Sequence, residues 1–89
     1  MSEVLKIHPS DNVAVALKDL ERGVEVELPG GKLTVRERIP AGHKVALVPI
    51  PEGSYAIKYG APIGRALKDI NPGDWVHTHN LRGTRGRGT

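Results

Sequence analysis

The stretch Ile39-Pro40-Ala41-Gly42-His43-Lys44-Val45 decides the fold of this chain, because its pattern occurs four times in 89 residues. In each copy an aliphatic residue precedes two turn residues, a glycine, two further residues and a small or branched apolar residue. The other copies are Leu20–Val26, Ile50–Ala56 and Ile70–Val76. Proline presets the first torsion of a tight turn and glycine accepts a positive φ. Each copy therefore predicts a strand end, a tight turn and the start of the next strand.

The segments between these turns are short and rich in β-branched residues. Val24–Leu28 alternates apolar and acidic residues, which is typical of a half-exposed strand, and Pro29-Gly30-Gly31 predicts the hairpin turn after it. Val13–Arg22 fits a helix or a strand, and we favour a strand followed by one helical turn around Lys18-Asp19-Leu20. The other candidate strands are Val4–Ile7, Leu33–Val35, Val45–Val48 and Trp75–His77. Val45–Val48 is a continuous apolar run, so we expect this strand to be buried. The sequence predicts a mainly β domain with at most one short helical turn.

The length and composition predict a single domain with a thin core. A chain of this size buries roughly 60–65% of its unfolded surface, and its aromatic residues are two tyrosines and one tryptophan. Aliphatic side chains must therefore fill the core, which leaves little room for a deep pocket of ~300–1,000 Å³. We expect a shallow groove, or half of a site that a partner completes.

The positive charge is concentrated at the end of the chain. Arg82, Arg85 and Arg87 lie in the last eight residues, and removing these three from the 13 basic residues leaves ten, equal to the ten acidic ones. Nucleic-acid modules usually carry a basic face on the folded domain, so nucleic-acid binding is not favoured. We expect a folded domain over residues 1–80 and a flexible Arg/Gly tail over 81–89.

The chain has no cysteine, which excludes a disulfide framework and thiolate zinc sites. The start of the chain has no basic, apolar or cleavage region, so we expect no signal peptide and no membrane span. A cytoplasmic location is the expectation. Short unpaired strand edges would permit a homodimer.

Four blocks follow one another along the chain: Asp11–Ala16, Gly42–Leu47, Ile57–Ala66 and Trp75–Asn80. Together they resemble the N-terminal domain of the altronate dehydratases, and the first three also resemble the galactarate dehydratases. The small subunit of sulfolactate sulfo-lyase is similar. The resemblance implies a small β-clip fold of the SAF type and a large catalytic subunit or domain as partner. It also implies dehydration of a sugar acid with a divalent metal in the assembled enzyme, Fe²⁺, or Mn²⁺ in its place. Because the folded part is too small to enclose the reaction, we expect no turnover by this chain alone.

The first candidate site residues come from the first two blocks. His43 follows a glycine turn, where an imidazole can act as a base or a ligand, or bond to a turn carbonyl. Lys44 would point to the opposite face of the strand and could hold a carboxylate as a point charge. The resemblance implies catalytic roles for Asp11 and Asn12 as well, although such pairs commonly close turns.

The remaining candidates come from the third and fourth blocks. Lys58, Tyr59 and Gly60 are candidate substrate-binding residues, with the alternative that Tyr59 packs over a glycine kink. His77 and His79 would share one face of a strand, which permits both to bind one metal ion. They could instead tune substrate preference or contact the large subunit.

The residues leave other functions open. A sulfolactate sulfo-lyase small subunit would differ in its leaving group, which is sulfite. A binding module for an anionic ligand or a protein would perform no chemistry.

Overall fold

The computed structural model describes residues 3–83, and this part of the chain consists of short antiparallel strands joined by tight turns. The strands are β1 Val4–Leu5, β2 Val13–Ala16, β3 Glu25–Leu28, β4 Gly31–Thr34, β5 Lys44–Ala46, β6 Tyr55–Lys58, β7 Ala61–Ala66, β8 Trp75–Val76 and β9 Leu81–Gly83. They form a four-stranded sheet in the order β1-β2-β5-β8, the hairpin β3-β4, and a three-stranded sheet in the order β6-β7-β9. The predicted mainly β fold is confirmed.

The four-stranded sheet contributes to two hydrophobic clusters. Side chains alternate between the faces of a strand, so Val45 packs with the β3-β4 hairpin while Ala46 packs with the β6-β7 hairpin. Both residues are completely buried. The larger aliphatic residues at the centres are Leu20 and Ile39 in the first cluster, and Ile50 and Ile70 in the second.

The four predicted turns are confirmed, and the structure arranges them in pairs. Gly23, Gly42, Gly53 and Gly73 all have φ between +86° and +91°, the conformation that glycine adopts without a steric cost. Antiparallel bridges join Leu20 to Ile39 and Ile50 to Ile70. Each pair of turns therefore frames one hairpin, β3-β4 or β6-β7, and the sequence repeat reflects two similar halves.

Gly73 is the most constrained of the four. A Cβ atom there would lie 2.0 Å from the carbonyl oxygen of Thr34. The Gly73 carbonyl in turn accepts a hydrogen bond of 3.0 Å from the amide of Arg36. The turn that precedes β8 is thus locked against the strand end after β4, which fixes the starting point of the segment Trp75–Asn80.

Three expectations need correction. The helical turn around Lys18-Asp19-Leu20 is wrong, because this segment bends and Leu20 then enters its bridge with Ile39. Val48 is exposed rather than part of a buried strand. Leu81–Gly83 pairs with β7, so the folded part extends past residue 80; the rest of the predicted tail, 84–89, lies outside the described residues.

Residues 3–83 contain no helix that is long and apolar enough to cross a membrane.

Candidate functional site

Three of the four histidines gather around the single tryptophan. Val45 lies opposite Trp75 and Lys44 opposite Val76, so the antiparallel register places His43 beside His77. The ring centroids of His43 and His77 are 5.0 Å apart. Trp75 stacks on His77 at 5.3 Å with an angle of 8° between the planes, and its centroid is 5.4 Å from that of His79. We call these four residues the imidazole–indole cluster.

A hydrogen bond from the indole fixes the protonation pattern of His43. Trp75 Nε1 donates to His43 Nδ1 over 3.3 Å. Because an indole nitrogen only donates, Nδ1 must be the unprotonated nitrogen of the ring. A neutral His43 then carries its proton on Nε2, and that nitrogen can donate to a ligand.

Asn80 shapes the turn that brings His77 and His79 to the indole. Its Oδ1 accepts from the His77 amide over 2.9 Å, its Nδ2 donates to the Trp75 carbonyl over 2.8 Å, and the residue is buried. The two histidines therefore do not share a strand as expected, because β8 ends at Val76 and both lie in this turn. Trp75 and Asn80 were not predicted as parts of the site from the sequence. The available signal was Asn80, because an asparagine three residues after His77 can hydrogen-bond to the backbone of a turn.

Positive groups crowd the cluster. Burial lowers the pKa of His77, and the charges of His43, Lys44 and His79 lower it further. Burial likewise lowers the pKa of Lys44, with a further contribution from Lys58. His77 is therefore held in its neutral form at pH 7, and no carboxylate is among the causes that act on either residue.

The described residues do not complete a metal site. Within residues 3–83, no group of three or more histidine and carboxylate side chains lies close enough to hold an ion. Catalytic metal sites usually have three protein ligands or more. His77 and His79 would need ligands from elsewhere, so this part of the chain alone does not fit the Fe²⁺ or Mn²⁺ that the resemblance implies.

Asp11 lies in a different environment, in which backbone amides surround its carboxylate. Oδ1 accepts from the Gly60 amide over 2.8 Å and Oδ2 from the His8 amide over 3.0 Å. Burial of Asp11 by itself raises its pKa, but the backbone hydrogen bonds from Gly60, His8 and Tyr59 outweigh burial and lower the pKa. The carboxylate is a poor proton acceptor at neutral pH. Its catalytic role stays a prediction, and its geometry is structural.

Asn12 joins the four-stranded sheet to β6. Its Oδ1 accepts from the Ile57 amide over 2.6 Å and its Nδ2 donates to the Tyr55 carbonyl over 3.0 Å. The side chain thus makes the two hydrogen bonds with β6 that the backbone of a neighbouring strand would otherwise make. We call Asp11 and Asn12 together the clamp. A catalytic role for Asn12 also stays a prediction, since both of its polar atoms are engaged.

Lys58, Tyr59 and Gly60 form the tip of the β6-β7 hairpin. Tyr59 and Gly60 have φ of +57° and +73°, the pair of positive values that a type I′ turn requires. A Cβ on Gly60 would lie 3.1 Å from the ring of His8, so this glycine also permits a close contact. The Tyr59 ring is 61% exposed, and Lys58 Nζ lies 4.8 Å from its centroid. Tyr59 therefore does not pack into the core, and a substrate role for the tip stays a prediction.

The structure thus separates the predicted site residues into two groups. His43, His77 and His79 surround Trp75. Lys44, next to His43 in the chain, acts on His77 by its charge, and Lys58 acts on Lys44 in the same way. Asp11, Asn12 and Gly60 meet in the clamp. His43 and His77 are half-buried and His79 is exposed, so solvent reaches the cluster.

Comparison with known proteins decides the family. The family described as the altronate/galactarate dehydratase SAF domain matches residues 2–84. The chain belongs to this SAF domain family. The match covers the imidazole–indole cluster and the clamp together.

Individual relatives agree with this assignment. The chain is 51% identical over 80 residues to altronate dehydratase of Escherichia coli, which is 90% of this chain and 16% of that protein. It is 42% identical over 72 residues to galactarate dehydratase (L-threo-forming) of the same organism, which is 81% of this chain and 14% of that protein. It is 44% identical over 54 residues to (2R)-sulfolactate sulfo-lyase subunit alpha of Paracoccus pantotrophus, 61% of this chain and 81% of that subunit. The chain therefore spans about one sixth of the length of the dehydratases it matches.

Proposed function

We propose that this chain is the SAF domain or small subunit of a sugar-acid dehydratase, most directly an altronate dehydratase. The observation that carries the proposal is the family match over residues 2–84, with 51% identity to altronate dehydratase. Because the chain spans 16% of that relative, a larger catalytic part must supply the rest of the enzyme. The expected location is the cytoplasm.

The proposed contribution of the imidazole–indole cluster follows from its protonation states. Dehydration needs a base that removes the proton beside the substrate carboxylate and an acid that protonates the departing hydroxyl. His77 suits the first role, because its lowered pKa keeps it neutral at pH 7. His43 can hold the departing hydroxyl as a hydrogen-bond donor, because the indole bond leaves its proton on Nε2, and the acid itself would come from the larger catalytic part. The Lys44 ammonium can hold the substrate carboxylate as a point charge.

The metal belongs to the assembled enzyme in this proposal. A divalent ion polarises a carboxylate and stabilises the charge that develops when the proton leaves. Since residues 3–83 bring together no set of three ligands, the larger part would hold most of the coordination sphere of an Fe²⁺ or Mn²⁺ ion. His77 or His79 would add at most one or two ligands.

An exposed apolar groove is the proposed contact surface for that larger part. The groove has a volume of about 670 Å³ and includes Leu5, Ile7 and Val48, which are between 43% and 47% exposed. Contiguous exposed apolar surface commonly marks an interface. The occupant is the remaining five sixths of the dehydratase, because the relatives carry that length outside the matched segment.

Complementation in trans tests the proposal. The matching segment would be removed from E. coli altronate dehydratase, and this chain would be added to the remainder. We expect altronate turnover to return, and to be lost again with His43→Gln or Lys44→Met. Lys68→Met, at an exposed lysine outside the cluster, is the matched control and should retain turnover.

Two results would contradict the proposal. Turnover of altronate by the isolated chain would show that no larger part is required. If the wild-type chain and the His43→Gln and Lys44→Met variants restored altronate turnover equally, the cluster would not be part of the active site. An Ile7→Asp variant separates docking from chemistry, because it should lower the affinity for the larger part without changing turnover at saturating concentration.

A sulfo-lyase subunit is the second candidate. The observation that favours it is coverage, since the chain spans 81% of (2R)-sulfolactate sulfo-lyase subunit alpha. In that case (2R)-sulfolactate would release sulfite in the presence of a large subunit. Sulfite release with the large subunit of a (2R)-sulfolactate sulfo-lyase, together with no altronate turnover in the complementation above, would decide for this candidate.

A further inference from the structure

A second polar surface lies on the outer face of the three-stranded sheet. It is a shallow groove of about 480 Å³ lined by Tyr55, Arg65, Leu67, Arg82 and Gly83. The strand register places Tyr55 opposite Arg65, and Arg65 opposite Arg82. These three residues are exposed, whereas the neighbouring inward residues are buried or half-buried. We call this surface the arginine groove.

The charges in the arginine groove are unbalanced. Like charges directly opposite each other across an antiparallel pair destabilise a sheet, and Arg65 and Arg82 are such a pair. No carboxylate lines the groove among the described residues, and neither arginine forms an ion pair there. Arg36 and Arg38, by contrast, have acidic partners at 3.0 Å. An anion from outside the chain would relieve this repulsion.

Tyr55 positions one of the two guanidinium groups. Arg65 Nη2 donates to the Tyr55 hydroxyl over 2.8 Å, and the Arg65 Cζ atom lies 5.1 Å from the centroid of the tyrosine ring. One of the guanidinium donors is thereby used and the side chain is held over the ring. The other donors of the fork keep the geometry that matches a carboxylate or a phosphate.

We propose that the arginine groove binds a small dicarboxylate, with one carboxylate on Arg65 and the other on Arg82. Two guanidinium groups match two negative charges, and Leu67, which is 44% exposed, offers apolar surface to the carbon skeleton. This site is separate from the imidazole–indole cluster, and it does not depend on the proposed function.

Binding of malonate to the full 89-residue chain tests the site. At constant ionic strength, titration should shift the backbone amide resonances of Tyr55, Arg65 and Arg82 in an NMR spectrum. Arg65→Gln and Arg82→Gln should each weaken binding about tenfold, because each removes charge-assisted hydrogen bonds. Arg22→Gln, at an exposed arginine in another turn, is the matched control and should change the affinity less than about twofold.

A second control tests whether malonate binds at the groove or responds only to the net positive charge of the chain. The double variant Arg85→Gln, Arg87→Gln removes two charges but leaves the groove residues unchanged, and malonate affinity should persist. Loss of binding in this variant equal to that in Arg82→Gln would overturn the proposal, because the interaction would then depend on net charge. If circular dichroism shows that Arg65→Gln does not fold, Arg65→Lys is used instead. This variant keeps the positive charge but lacks the forked guanidinium group, so it should still weaken malonate binding.

Other probes distinguish the source of the anion. Inorganic phosphate should bind more weakly than malonate, because it offers one anionic group to two guanidinium groups and no carbon skeleton to Leu67. Phosphate binding with no response to malonate would overturn the dicarboxylate assignment. A response to a poly-glutamate peptide alone would also overturn it, since the groove would then take an acidic protein segment.

Discussion

The clamp and the histidines of the imidazole–indole cluster were both predicted as functional from the sequence, yet their electrostatics are opposite. In the clamp, the side-chain polar atoms of Asp11 and Asn12 are hydrogen-bonded to backbone groups of complementary polarity. Burial disfavours the charged forms of His77 in the cluster and of Lys44 outside it, and nearby positive charges disfavour them further. The comparison indicates that the clamp stabilises the fold, while the cluster gives up stability to hold groups available for a ligand.

The largest effect should come from breaking the clamp at Asn12. Asn12→Ala removes both bonds to β6 and leaves the half-buried Ile57 amide without that acceptor. An unsatisfied buried group costs roughly 1–3 kcal/mol beyond the lost bond. We expect the free energy of unfolding to fall by about 2–4 kcal/mol, measured by urea denaturation.

Asn71→Ala is the matched control for this change. Asn71 is exposed in the turn before β8, and its backbone amide, not its side chain, bonds to Asp74. The control should change the free energy of unfolding by about 0.5 kcal/mol or less. If the two variants proved equally stable, the clamp would have no special structural role and a catalytic role for Asn12 would gain support.

The fold could be predicted from the sequence further than the site could. The Ile39–Val45 pattern fixed the tight turns because proline and glycine act locally through φ. Strands β6, β7 and β9 were not assigned individually, since Pro62 and Gly64 interrupt the apolar pattern of β7 and Leu81–Gly83 gains its strand only from pairing with it. Local residue preferences do not encode such long-range pairing.

The site could be predicted only as a set of residue types. The four blocks that carry the family resemblance include His43, His77 and His79, but the turn formed by Asn80 and the indole of Trp75 bring these histidines together. Side-chain bonds to the backbone, such as that of Asp11 to Gly60 across 49 positions, depend on tertiary structure. For this reason Asp11 resembled a catalytic carboxylate in the sequence and has the geometry of a structural one.

An acid titration gives the next effect in size. Because the folded pKa of Asp11 is lowered from 3.8, its stabilisation is complete above that unfolded value and is lost as the pH falls through the folded pKa. Asp11→Asn removes the charge, and we expect it to cost about 1.5–3 kcal/mol at pH 7. Its stability should then vary less with pH than that of the wild type below about pH 4.

Thermal unfolding at several pH values measures this difference. Asp69→Asn is the matched control, since Asp69 also accepts a backbone amide, that of Glu52 over 2.9 Å, but is exposed. Parallel acid transitions of the wild type and Asp11→Asn would mean that burial cancels the backbone bonds, so that the pKa of Asp11 is not lowered by folding. A wild type that gains stability relative to Asp11→Asn as the pH falls would mean that burial outweighs those bonds.

The smallest effect, and the sharpest test of the cluster, is Lys44→Met. A group whose folded pKa is lowered destabilises the fold while it is protonated, so removing the Lys44 charge should raise stability at pH 7, by about 0.5 kcal/mol or less. The same change should raise the pKa of His77, because one of the positive charges that lower it is gone. An NMR titration of the histidine rings measures that pKa, and Lys68→Met should leave it unchanged. A His77 pKa that starts at or above 6.5, or that does not rise in Lys44→Met, would mean that the cluster is not crowded by charge and that His77 has no special fitness as a base.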